Sequence, residues 1–246
     1  MPQGSPLARL PAETITAKRA SIRNGVLRAS PHIKTNAVQA IAGPDLRILF
    51  RSYDDLFFAD RLQALIESSG SHIYFEVSNR MTSAGASIRA QVHKGATHIY
   101  RVAVSGPVLF SSFTKPGERL EVNGVVCEDR LQSLLILVEH ELVHLYEMLT
   151  TGDSRHGPFF RDIALNTFGH TDYRHGLVTP MQRVAEVLDM RVGDPVSFRF
   201  EGQQLVGRVR RITKRATVLV PVEGASGEVV LKFLVPLGAL ERVTAG

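Results

Sequence analysis

At 246 residues and 44% apolar content, the chain can bury one large core or two small ones. Its single cysteine, Cys127, excludes a disulfide framework and suits a reducing, cytoplasmic compartment; no run approaches the about 18 apolar residues of a membrane span. The net charge of +5 is uneven: residues 1–43 carry six Lys/Arg against one Glu and residues 181–246 carry ten against seven acidic side chains, while the part between is acidic, so both flanks suit a polyanion.

Residues 1–43 mix Pro, Ser, Thr, Asn and Gly with little periodicity, which predicts a basic disordered tail with a short helix near Asn36 to Ile41. Met1 to Lys18 holds no apolar run of signal-peptide length. Gly43-Pro44-Asp45 turns into a helix predicted over Asp45 to Ser68, with Leu46, Leu49, Phe50, Tyr53, Phe57, Leu62 and Leu65 as its core stripe. Three strand-like runs follow, His72–Ser78, Ser83–Val92 and Ile99–Val104. The middle run alternates as a half-exposed antiparallel strand does, and 83–90 is a candidate edge for holding substrate backbone by strand addition. Lys115 to Gly124 reads as a loop, a rim or lid beside the next helix.

That helix carries the chemistry. Glu128-Asp129 opens it, and Leu131, Leu134, Leu135, Val138, Leu142, Leu145 and Leu149 recur at spacings of three and four up to Thr150, marking a buried element. Within it stands His140-Glu141-Leu142-Val143-His144, an H-E-x-x-H pattern. Helical geometry puts both imidazoles on one face, able to hold one Zn²⁺, with Glu141 offset to act on a water as general base. Two histidines and a glutamate beside an apolar stripe are costly unless something satisfies them, and a metal does so.

A zinc hydrolase takes three protein ligands and keeps one position open. One class would place Gly and His where this chain has Glu147 and Thr150, and is excluded. The best third ligand is His156, on a turn before a helix predicted from Pro158 to Phe168 and stopped by Gly169. Thr151-Gly152-Asp153-Ser154 supplies the reversal that returns His156 to the first helix. His170 and Asp162 stand as substitutes. Tyr173, Arg174, His170 and His175 are candidates for second-sphere support or for steadying an oxyanion.

His-Glu-Leu-Val-His, a short loop, then His156-Gly157-Pro158-Phe159-Phe160 is similar to the SprT-like zinc metallopeptidases, the family of the Spartan protease. The resemblance extends to Leu46–Leu65, His72–Val77 and Ser83–Ala90 with Gly85, and covers about residues 44 to 176. It implies a zincin-like α+β fold with a small, mainly antiparallel sheet, His140, His144 and His156 as zinc ligands, and Glu141 as catalytic acid/base. It also implies protein substrates bound on or crosslinked to DNA, and so a nucleoid- or nucleus-associated setting. The cysteine-rich zinc segment that many members carry is missing, since Cys127 stands alone.

After a linking helix, about Thr179 to Met190, short strands are predicted at Val196–Phe200, Gln204–Thr213, Ala216–Pro221 and Val229–Phe233, with a single-turn helix at Val235-Pro236-Leu237. The Gly193-Asp194-x-Val196 start resembles small SH3-like barrels of the KOW or Tudor type. Arg208, Arg210, Arg211, Lys214 and Arg215 gather round one hairpin, with Arg208 and Arg210 outward and Val209 inward; they suit phosphate contacts or the protection of an edge strand. The expected organisation is a tail over 1–43, a metallopeptidase domain over 44–178, and the linker helix and barrel over 179–246. The expected activity is zinc-dependent endopeptidase action by a monomer, with DNA contacts through the barrel and the tail. A non-catalytic, zinc-braced nucleic-acid adaptor and hydrolysis of a non-peptide amide remain as alternatives.

Overall fold

The computed structural model describes residues 7–92, 98–213, 215–224 and 227–243. The chain mixes helices and strands and divides into two compact units, Met1–Leu177 and Val178–Gly246. Among the described residues no helix is long and apolar enough to cross a membrane.

Residues 7–43 are not a disordered tail. Residues Ala12–Ala29 form helix α1, which buries Ile15, Ile22 and Val26. The sequence hides this stripe because its central member is Arg19, a charge at a core position, which bonds to a buried partner described below. Lys18 donates to the Leu56 carbonyl, Lys34 to the Ser30 carbonyl, and Arg23 to Asn36 and Asp129, so these basic groups serve the fold. No helix forms over Asn36 to Ile41; instead the Asn36 carbonyl accepts from the Leu131 N–H and satisfies a donor at the start of the site helix.

The helix expected over Asp45–Ser68 is broken. Helix α2 spans Gly43–Tyr53, one π turn covers Asp54–Phe58, and α3 spans Arg61–Ser68. Ala59 and Asp60 are left-handed, and the buried Asp54 carboxylate accepts from the N–H groups of Leu62 and Gln63, both at 2.9 Å. A side chain thus caps α3 from six residues upstream of its Asp60 N-cap, and the wide turn lets adjacent Phe57 and Phe58 both face inward.

Strands β1 (His72–Ser78), β2 (Ala86–Val92) and β3 (His98–Ser105) form a sheet in the order β1-β3-β2. It is not mainly antiparallel: β3 inserts between the other two, antiparallel to β2 but parallel to β1. This leaves β2 as an edge. Short helix α4 (Gly106–Ser111) leads to a hairpin, β4 (Leu120–Val122) and β5 (Val125–Cys127), whose first strand and turn fall in the Lys115–Gly124 segment expected as loop. Its Asn123-Gly124 turn has both residues at positive φ, the chemistry such a turn demands.

Helix α5 (Arg130–Thr151) is the axis of the first unit and is buried along most of its length. Asp129 caps it by accepting from the Gln132 N–H. Helices α1, α2, α3, α4 and α6 (Pro158–Phe168), together with β2 and β3, pack round it. Gly85 sits where a Cβ would come within 2.7 Å of Leu137 Cδ2, so its lack of a side chain lets the strand approach the helix.

In the second unit, α7 (Pro180–Val187) is capped by Thr179. Strands β6 (Pro195–Phe200), β7 (Gln203–Ile212), β8 (Ala216–Gly224), β9 (Gly227–Val235) and β10 (Glu241–Arg242) form one antiparallel sheet in the order β10-β6-β7-β8-β9, and no pairing closes it into a barrel among the described residues. Val196, Phe198, Val209, Val218, Val220 and Leu237 make its own core. A bulge between Val209 and Arg211 aligns Arg211 with Thr217 and turns Ile212 inward, so Arg208, Arg210 and Arg211 are all exposed. Arg215 is exposed as well, and Lys214 lies outside the described residues.

Candidate metal centre

The i, i+4 pair on α5 meets a third imidazole from the loop before α6. The Nε2 atoms of His140 and His144 stand 3.2 Å apart, those of His144 and His156 3.1 Å, and those of His156 and His140 3.1 Å. A proton on one nitrogen can serve only one edge of such a triangle, whereas a cation serves all three lone pairs. Tetrahedral ligands of a zinc ion, held at about 2.0–2.1 Å, stand about 3.3–3.4 Å apart, close to the observed edges. The three histidines therefore lie close enough to hold a metal ion. A set of imidazoles alone suits zinc, copper, iron or nickel.

Local sequence explains the arrangement. Gly152, at φ +80°, ends α5 in the left-handed region, and the chain reverses at once. Pro158 occupies the first turn of α6, so His156 is fixed between a helix end and a helix start. Phe160, one turn into α6, lays its ring against all three imidazoles, with centroids 4.9, 4.3 and 4.8 Å away. Ser154 Oγ lies 2.7 Å from His144 Nδ1 and donates its own hydrogen to Glu147, so it accepts from Nδ1–H and Nε2 keeps its lone pair toward the centre.

Burial is graded across the set, with His140 buried, His144 partly buried and His156 the most accessible. Burial and the neighbouring imidazoles push His140 down to about 2, and burial with His156 pushes His144 down to about 4. Both are neutral at pH 7, the form a metal needs. Glu141 is buried too, and burial pushes its carboxyl up to about 8 although the Ile88 N–H of β2 donates to it. The carboxyl thus faces the edge strand of the sheet. Neither a protein-family model, nor a curated protein, nor a solved structure matches this chain.

The segment 170–175 divides its roles. Tyr173 stacks on His156, centroids 4.9 Å apart and planes at 20°, and the Arg161 guanidinium lies over the Tyr173 ring, 5.9 Å from its centroid. The hairpin turn holds it there: the Asn123 carbonyl accepts from Thr171 and Asp172, and the Asn123 N–H donates to the Arg174 carbonyl. Arg174 itself is exposed, and its described bonds are made by its backbone, the carbonyl accepting from Asn123 and the N–H donating to Asp172 Oδ1. His175 donates from Nε2 to the Ser83 carbonyl at 3.0 Å and packs beside Gly85. Asp162 is exposed on α6 and is no part of the cluster.

His170 belongs to a second buried group. Its Nε2 lies 2.9 Å from Glu139, which also receives Arg19 through two bonds of 2.8 and 2.6 Å and the Tyr53 hydroxyl at 2.8 Å. Burial would raise the Glu139 carboxyl, but Arg19 and His170 outweigh it and hold the group ionised below its ordinary value. Sequence reasoning missed Arg19, Tyr53 and Glu139. The signal was a charged residue beside His140 inside an apolar run, and its partner lies 120 positions away.

Proposed function

We propose that this chain is a zinc-dependent endopeptidase of SprT-like type, with a zincin-like catalytic unit and a C-terminal sheet of SH3-like kind. The observation that carries the reading is the convergence of three imidazole lone pairs next to Glu141, a buried carboxyl facing an edge strand. His140, His144 and His156 would hold the ion. Zinc, when bound, supplies a Lewis acid that acidifies water and polarises a carbonyl.

The remaining work falls to the chain. The edge strand β2 holds a peptide in extended form through the main-chain groups that Glu141 does not engage, and such bonds serve any sequence. Glu141 takes the proton of the attacking water at its carboxylate and delivers it to the leaving amine. Tyr173, stacked on His156, offers its hydroxyl to the developing oxyanion. A zinc-braced adaptor would need no such carboxyl, and among the described residues Glu141 has no charged partner to explain its burial. Substrates bound on DNA follow from the family resemblance and from the exposed Arg208, Arg210, Arg211 and Arg215.

The test is casein cleavage by the zinc-loaded protein, with and without single- and double-stranded DNA. Glu141→Gln should keep stoichiometric zinc and lose about 10²–10⁴-fold in rate; full activity in that variant overturns the mechanism. Absence of any DNA effect removes the nucleic-acid part alone.

A further inference from the structure

Glu147 stands where another H-E-x-x-H class carries the glycine that breaks its helix. Here α5 runs on past it to Thr151, and the chain must come back over that last turn to deliver His156. The buried Glu147 carboxylate meets the returning loop at two consecutive residues. It accepts from the Arg155 N–H at 2.9 Å and from the Ser154 hydroxyl. Because that hydroxyl gives its own hydrogen to Glu147, it accepts the hydrogen bond of His144 Nδ1–H, 2.7 Å away. Arg155 immediately precedes His156 in the chain.

We infer that Glu147 is the positioning residue of the metal centre: one carboxylate orients His144 through the Ser154 hydroxyl and clamps the loop that carries His156 through the Arg155 N–H. The chain Glu147–Ser154–His144 is a carboxylate-to-imidazole support extended by one hydroxyl, and it fixes the tautomer that points Nε2 at the ion. Its second arm sets where the loop ligand arrives. A glycine at this position would shorten the helix and bring a ligand from the next turn; the glutamate keeps the helix and secures a ligand twelve residues beyond His144 instead.

This assignment rests on the reading of the three histidines as a metal site. The experiment compares wild type with Glu147→Ala, Glu147→Gln and Ser154→Ala. Zinc affinity is measured by competition with a chromophoric chelator, the visible spectrum of the cobalt-substituted protein is recorded, and the melting temperature is taken without metal. Glu147→Ala should lose about 10–100-fold in zinc affinity and distort the tetrahedral cobalt spectrum. Ser154→Ala should lose about 10-fold with the metal-free melting temperature unchanged. Glu147→Gln, whose amide keeps one accepting oxygen, should fall between Glu147→Ala and wild type. Zinc affinity and cobalt spectrum unchanged in Glu147→Ala overturn the assignment, as does unchanged affinity in Ser154→Ala should Glu147→Ala fail to fold. Wild type that binds no metal overturns the metal centre itself and this role with it, an outcome distinct from unaltered binding in the variants.

Discussion

Helix α5 carries two polar clusters side by side: Glu139 with Arg19, Tyr53 and His170, and His140 with His144 and His156. Both sit in an apolar core, where an unpaired polar group is expensive. The first closes on itself, because Glu139 is fully buried yet receives four hydrogen bonds from three side chains. The second does not close. Its three Nε2 atoms turn toward one another, and among the described residues no donor serves all three. Adjacent residues of one helix thus separate a cluster that completes the fold from one whose members lie close enough to bind a metal ion.

The sharpest way to break this contrast is to remove one member from each side. His144→Ala should cost at least about a thousandfold in zinc affinity, a share of the about 10–16 kcal/mol that such sites supply, and change the metal-free stability little. Isothermal titration and urea unfolding of the metal-free protein would separate the two effects. Arg19→Ala should do the opposite in urea unfolding, losing about 3–5 kcal/mol because it strands a buried carboxylate. Equal loss of metal affinity and stability in both variants would mean that the two clusters are one.

Acid should also distinguish them. His140 and His144 are depressed in the fold, so the unfolded chain, titrating near about 6.5, binds protons that the metal-free fold refuses. Their contribution is fully present above about pH 6.5 and is lost as pH falls toward about 4, at about 1.4 kcal/mol per pH unit for each histidine. Glu139 is likewise depressed, and its contribution, present above the ordinary carboxyl range, is lost only below it. Urea melts of the metal-free protein from pH 8 to pH 4 should show the histidine phase first. Zinc should move it to lower pH; a profile flat between those limits counts against the neutral triad. The smallest effect belongs to the scaffold common to both clusters. Asp129→Ala, which removes the cap of α5, should cost about 1 kcal/mol and leave zinc affinity unchanged.

Much of the candidate site lies in patterns that local physics can interpret. The i, i+4 histidines share a face because of helical pitch, and Pro158 and Gly169 bound α6 because one lacks an N–H and the other tolerates left-handed backbone. The positions of β1, β2 and β3 follow from alternation and β-branched content. Arg19 looked like one more basic residue of a tail, since nothing near it in sequence announces a buried glutamate. The π turn at Asp54–Phe58 was hidden for a similar reason: Asp54 caps a helix that begins seven residues later.

By itself, then, the sequence determined which imidazoles are available to a metal and which carboxyl stands beside them, because those relations are set within a few residues by backbone geometry. Tertiary structure alone decided that Arg19 neutralises Glu139, that β3 inserts between β1 and β2, that Tyr173 lies on His156, and that Glu147 reaches the loop of His156. Each of these depends on which distant surfaces pack together, and burial makes the choice binding: a polar group inside the core must find its partner wherever in the chain that partner lies.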